Sequence, residues 1–199
     1  MGRIKYWMGL LLACGASLAL AQGNPEAGKE KAQVCAGCHG EDGNSSAPIF
    51  PKIAGQHASF IAKQLHDFKS QKRGDPTMSA LSEPLTDADI ADLAAYYAKQ
   101  KITVEQGAAN PRGETIYRTG NLATGVPACT GCHGPGGNGN PGAVFPQVNG
   151  QYAAYVEKAL HDFKTGARGN DLNGMMRALA ARMSDDEIKA VAQFISTLD

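Results

Sequence analysis

Cys35-Ala36-Gly37-Cys38-His39 recurs as Cys129-Thr130-Gly131-Cys132-His133. Two cysteines three positions apart, with a histidine directly after the second, form the spacing of a c-type haem attachment. Each thiol adds across one vinyl group of the porphyrin, and the adjoining imidazole then lies beneath the iron as an axial ligand. Zinc sites and thioredoxin-like dithiols also use C-x-x-C, but neither needs the histidine. Two copies inside a longer repeated frame point to two covalent haem c groups. Cys35, Cys38, Cys129 and Cys132 would hold them, and His39 and His133 would ligate the irons.

An iron that only passes electrons has both axial positions filled. Methionine is the usual second ligand, because its soft thioether stabilises ferrous iron and raises the potential. Met78, in Asp75-Pro76-Thr77-Met78, is the one methionine of the first half beyond the N-terminal segment. It is expected in a loop just ahead of a helix. The second half offers Met175, Met176 and Met183. Aligning Thr86 with Ser184 as helix caps pairs Met78 with Met176 and Leu85 with Met183. Met176 is therefore the expected ligand, Met175 its competitor and Met183 a core residue. The stretch from Arg168 to Met176 is three residues longer than that from Arg73 to Met78, which loosens the local register. His66 and His161 are repeat-related and offer a bis-histidine alternative, although their Leu-His-Asp-Phe setting suits a surface or hydrogen-bonded role better. His57 has Tyr152 as its counterpart, which argues against ligation.

The elements that must position these groups also repeat. Phe50-Pro51-Lys52-Ile53-Ala54-Gly55-Gln56 matches Phe145-Pro146-Gln147-Val148-Asn149-Gly150-Gln151, and Leu65-His66-Asp67-Phe68-Lys69 matches Leu160-His161-Asp162-Phe163-Lys164. The spacing predicts mostly helical units. A helix over 25–34 leads into the first motif, and another over 57–70 carries Phe60, Ile61, Leu65 and Phe68 on one face. Thr86 with Asp89 caps a third, whose stripe is Ile90, Leu93, Ala94 and Tyr97. The second half repeats the plan with a helix over 152–165 and a last one opened by Ser184 and Glu187, with Ile188, Val191, Ala192 and Ile195 as its stripe. An extra loop, 119–127, precedes the second motif. The fold class is all-α, divided into residues 22–100, a linker at 101–112 with Gly107 and Pro111 as breakers, and residues 113–199.

Residues 1–21 read as a secretory signal. Arg3 and Lys5 precede an apolar run, and Ala19-Leu20-Ala21 forms the cleavage site. The run is short of the roughly 20 residues that span a bilayer. The fifth cysteine, Cys14, lies inside it. Nineteen basic against nineteen acidic residues leave no net charge, which disfavours nucleic acid as a partner. Export to the periplasm follows as the expected localisation, with at most peripheral membrane association.

The paired C-x-x-C-H-G motifs, the two F-P-x-[IV]-x-G-Q blocks, the two D-F-K helix ends and the run from Met176 to Ser184 resemble the diheme cytochromes c4, which are tandem class I cytochromes c. The resemblance spans essentially the whole chain after the signal. It implies two cytochrome c domains related by an approximate twofold, each wrapped around one covalent haem, with the propionate edges facing across the interface. Pro51 and Pro146 match the proline whose carbonyl accepts a hydrogen bond from the proximal imidazole. The resemblance implies a monomeric electron carrier rather than an enzyme, working between a respiratory-chain donor and a terminal oxidase or reductase. The alternatives are the cytochrome subunit of a dehydrogenase complex, such as a sulfide-oxidising flavoenzyme, and a diheme peroxidase.

Overall fold

Asn24 starts the first helix by accepting hydrogen bonds from the backbone N–H groups of Glu26 and Ala27, ahead of a proline at the first helical position. This computed structural model describes residues 23–199, so the expected signal segment and Cys14 lie outside the described residues. Helix α1 (Pro25–Lys31) does not run on to Val34 as its periodicity suggests. A flattened ψ of −10° at Ala32 ends it, and a separate helix, α2 (Gln33–His39), carries the whole first motif. A long irregular loop leads to α3 (Ala58–Lys69), followed by α4 (Pro76–Ser82) and α5 (Asp87–Ala98). Thr86 and Asp89 form the expected reciprocal cap of α5.

The second half has the same order: α6 (Pro111–Thr119), α7 (Thr130–His133), α8 (Ala153–Thr165), a single 3-10 turn (Leu172–Gly174), α9 (Met175–Ala180) and α10 (Asp185–Ser196). Ser184 and Glu187 cap α10 in the same reciprocal way. The extra loop before the second motif closes on itself through an isolated bridge between Asn121 and Val126. Asn121 also donates to the buried Glu187 carboxylate at 2.6 Å, tying that loop to the cap of α10. Among the described residues no helix is long and apolar enough to cross a membrane.

In each half the first helix crosses the last, α1 on α5 and α6 on α10. Glycine lets the backbones touch. A Cβ at Gly28 would lie 2.0 Å from the Asp92 carbonyl oxygen, and one at Gly113 2.0 Å from that of Ala190. Leu93, Ala94 and Tyr97 form the core of the first half with Ile61 and Ala32, with Ile90 fully buried on the same helix, while Ile188, Val191 and Ile195 join Ile116, Tyr117 and Met183 in the second. The predicted stripes of α5 and α10 are therefore the buried faces.

The halves meet through a reciprocal pair of contacts. The Gln56 amide donates to the Gln147 carbonyl at 2.9 Å and accepts from its N–H at 3.0 Å. The Gln151 amide does the same to Lys52, at 2.7 and 3.0 Å. Gln56 and Gln151 are repeat-related, as are Lys52 and Gln147. A contact in which each partner's residue meets the counterpart of the other is the mark of a twofold relation.

Candidate haem sites

Each proximal histidine is held from behind. His39 Nδ1 lies 2.8 Å from the Pro51 carbonyl and His133 Nδ1 lies 2.9 Å from that of Pro146. A carbonyl can only accept, so Nδ1 carries the proton and Nε2 keeps its lone pair. Burial pushes both imidazoles below their ordinary value and outweighs the opposing pull of the proline carbonyls. Two neutral rings with free Nε2 atoms result, the form in which imidazole binds a metal.

The first thiol of each motif lacks the thiolate character of a redox dithiol. Burial pushes Cys35 up, and pushes Cys129 up to about 11. A catalytic C-x-x-C pair instead depresses one thiol to make a thiolate. All four cysteines are unbridged, and the described residues bring together no cluster of three His, Cys, Asp or Glu side chains arranged around a metal ion. Cys35 packs on the edge of the first core and Cys129 on that of the second, while Cys132 is exposed.

The methionines separate by position. Met78 is half-buried and lies in the first turn of α4 rather than in a loop, because Pro76 begins a helix there and Asp75 accepts a hydrogen bond from the Met78 N–H at 2.9 Å. Met176 is half-buried in α9 and packs against the second core. Its competitor Met175 is 40% exposed, and Met183 is sealed in the core at 2%. His66 and His161 each stand 3.9 Å from an exposed aspartate, Asp87 and Asp185. His57 meets the Asn138 carbonyl across the interface through Nε2 at 2.7 Å.

Sequence reasoning missed a cluster of cations between the halves. Arg73 lies over Phe68 and Arg168 over Phe163, with guanidinium carbons 4.6 and 4.5 Å from the ring centres. Both reach Gln64 Oε1, at 2.8 and 3.1 Å, and Arg73 also donates to the Tyr155 hydroxyl at 3.0 Å. Burial, then the neighbouring Arg73 charge, pushes Arg168 down to about 10. The buried Lys52 ammonium donates to the carbonyls of Thr103 and Gly150, 4.3 Å from the centre of the Tyr152 ring. None of the three cations has a carboxylate oxygen within 4.0 Å among the described residues. Arg73 and Arg168 stand at the same offset from the D-F-K blocks, so the repeat did carry a signal for them. Lys52 had none, since its counterpart is Gln147.

These residues fit two haem c groups. Two thiol pairs, two neutral imidazoles and two half-buried thioethers could supply the attachment and ligand atoms. Buried Lys52 and Arg168 and half-buried Arg73, bonded only to neutral groups and without a carboxylate partner among the described residues, would suit the carboxylates of the propionates, since a buried charge demands a counter-charge.

The protein-family model described as Cytochrome c matches residues 25–101 and again 111–199. The chain is 53% identical to cytochrome c4 of Thiocapsa roseopersicina over 88% of its own length and 93% of that protein. It is 37% identical to the thiosulfate dehydrogenase electron acceptor of Thiomonas intermedia (strain K12), over 92% of its length and 86% of the other. The solved structure of reduced recombinant cytochrome c4 from Pseudomonas stutzeri superposes with a TM-score of 0.84 at 44% identity, covering 89% of this chain and all of that one. The chain belongs to the cytochrome c family, as a two-haem electron carrier of the cytochrome c4 type.

Proposed function

We propose that the protein carries electrons in the periplasm between a respiratory-chain donor and a terminal oxidase or reductase, with Met78 and Met176 as the distal ligands opposite His39 and His133. The observation that carries this reading is the matched pair of half-buried methionines. In each half one half-buried methionine stands in the first turn of the short helix that follows the D-F-K segment, and in the second half its neighbour Met175 is exposed. With both axial positions occupied, no iron site is left for substrate. The haem supplies one-electron chemistry, and the polypeptide sets its terms. Pro51 and Pro146 hold the imidazole rings by their Nδ1 protons and strengthen their donation. Lys52, Arg73 and Arg168 offset propionate charge between the halves. The reciprocal glutamine contacts keep residues 22–100 and 113–199, joined by the linker 101–112, in one fixed relation, so that transfer between them needs no rearrangement.

An absorption spectrum with redox titration of the purified protein tests this. The expected result is a methionine–sulfur charge-transfer band from both ferric haems and no binding of carbon monoxide or cyanide short of denaturation. A high-spin haem would overturn the closed-site reading and favour a peroxidase. Met176→Ala should remove the band of the second haem while Met175→Ala leaves it, and the reverse result would transfer the ligand role to Met175.

The similarity to a thiosulfate dehydrogenase electron acceptor favours one second reading, in which the donor is a dehydrogenase rather than a respiratory complex. Copurification with a catalytic subunit and reduction by it at substoichiometric amounts would select this reading.

A further inference from the structure

The two distal segments leave the same starting point and are held in different ways. Arg73 N–H donates to the Asp67 carbonyl and Arg168 N–H to that of Asp162, at 3.0 and 2.9 Å. From there the first segment is short and self-contained: Asp75 caps Met78 directly, and no hydrogen bond joins residues 74–77 to the second half among the described residues. The second segment has three extra residues, and its capping aspartate, Asp171, stands farther back from the helix, bonding the Arg177 N–H rather than that of Met176. Gly174 precedes α9 with no side-chain bond, and Asn173 is left-handed at φ 52°. A non-glycine residue in that region costs about 1 kcal/mol and persists only where its surroundings hold it.

A further hold comes from the other domain. The Asn170 amide donates to Gln64 Oε1 at 2.9 Å and to Asp67 Oδ2 at 2.6 Å, and its carbonyl accepts from Lys63 Nζ at 2.7 Å. All three partners lie on α3 of the first half. One residue on, Asp171 accepts from the N–H and Nε of Arg177 at 3.0 and 2.7 Å, and its side chain is only 4% exposed. The chain of contacts thus runs from α3 through Asn170 and Asp171 to the residue next to Met176.

We infer that Asn170, clamped by Lys63 and Asp67 of the first domain, is a positioning residue for the Met176 thioether, so that the first domain sets the firmness of the second haem's distal ligand. This rests on Met176 being that ligand. In the opposite direction the first segment touches the second domain only at its start, Arg73 to Tyr155, and no residue from 74 to 77 is clamped as Asn170 is, so the dependence falls mainly on the second haem. A redox partner that alters the fit between the halves would therefore act chiefly on the second haem.

The test uses the full-length holoprotein. The two axial methionines are distinguished by their shifted ε-methyl resonances in the ferrous state, assigned with Met78→Ala, and the rate at which cyanide displaces each methionine from ferric iron is followed. Asn170→Ala is expected to speed displacement at the second haem by about tenfold, the factor implied by the loss of one net hydrogen bond, with the first haem unchanged. Lys63→Ala, a change on the first domain at a partly exposed site, should act on the same haem in the same direction. Equal acceleration at both haems, or no change at the second in either variant, overturns the inference. A wild-type protein with a single axial methionine resonance would remove the ligand reading itself and the inference with it, a different signature from intact ligands with unaltered rates.

Discussion

The first and second haem units solve one packing problem with different residues. Where α1 crosses α5, the small Ala32 and the large Tyr97 share the buried space. Where α6 crosses α10, their counterparts are the large Tyr117 and the smaller Ile195. The volume has moved from the last helix to the first. Tyr117 donates to the Gly134 carbonyl at 2.7 Å, beside the second motif, while Tyr97 Oη meets no partner beyond the Cys35 sulfur. What is shared is the backbone crossing and the framework of thiols, imidazole and proline. What differs is the packing around it and the restraint of the distal segment. The framework must satisfy a flat cofactor of fixed shape, whereas a core tolerates any filling of the right total volume.

The largest expected effect tests whether the two crossings are equivalent. Gly28→Ala and Gly113→Ala each drive a Cβ into a carbonyl oxygen 2.0 Å away and should cost about 3 kcal/mol apiece, the upper part of the usual overpacking range. Chemical denaturation of the two variants should give matching losses. A silent change at one site would mean that its crossing can relax where the other cannot.

Next comes the interface. Gln56→Ala and Gln151→Ala each remove two hydrogen bonds to the opposite backbone, and about 2 kcal/mol is expected from each at roughly 1 kcal/mol per bond. Under the twofold relation the two losses are equal. Differential scanning calorimetry should show the single transition broadening or splitting as the halves uncouple. Unequal losses would place the weight of the interface on one side.

The tyrosines sharpen the contrast between the cores. Tyr117→Phe removes one of the two bonds to the Gly134 carbonyl, which keeps the Gly137 N–H, and should cost about 1 kcal/mol. Tyr97→Phe removes a hydroxyl with no strong partner and should change stability by less than about 0.5 kcal/mol in either direction. Equal losses in urea denaturation would contradict the difference in bonding.

The smallest effect is the acid response of the two caps. Thr86, by side-chain and backbone hydrogen bonds, holds the Asp89 carboxyl down to about 2, with Lys31 adding to the effect. Burial pushes Glu187 up, but the Ser184 N–H and hydroxyl together with the Asn121 amide hold it below its ordinary 4.5. Both are acids depressed in the folded state. Their contribution is present above the unfolded pKa and is lost as pH falls through the folded one. Melting followed by circular dichroism should therefore be insensitive to these groups near neutrality and decline below about pH 4.5. Asp89→Asn and Glu187→Gln should flatten that decline. A steeper acid loss in Asp89→Asn than in the parent chain would contradict the assigned sign.

Much of the site was legible because haem attachment imposes a strict spacing. Cys35, Cys38 and His39 announce themselves, and the repeat carries the reading to Cys129, Cys132 and His133. The capping pairs Thr86–Asp89 and Ser184–Glu187 were equally legible, since a cap depends on residues three positions apart. The break at Ala32 was not, because no proline, glycine or capping side chain marks it there. Nor was the helical setting of Met78 read, although Pro76 after Asp75 is a helix-opening signal. The cations Lys52, Arg73 and Arg168 escaped because their significance lies in partners as distant as Gly150 and Tyr155.

The sequence by itself determined the two attachment motifs, the all-helical plan and the duplication, because each is written in local spacing, whereas the proline behind each imidazole was implied only by the family resemblance. Tertiary structure decided which of the neighbouring methionines is exposed, half-buried or sealed, since one residue of register turns a helical side chain through about 100°. It also decided that the second distal segment is tied down by the first domain. That contact joins residues about a hundred positions apart, and no local pattern encodes which surfaces a folded half will present to the other.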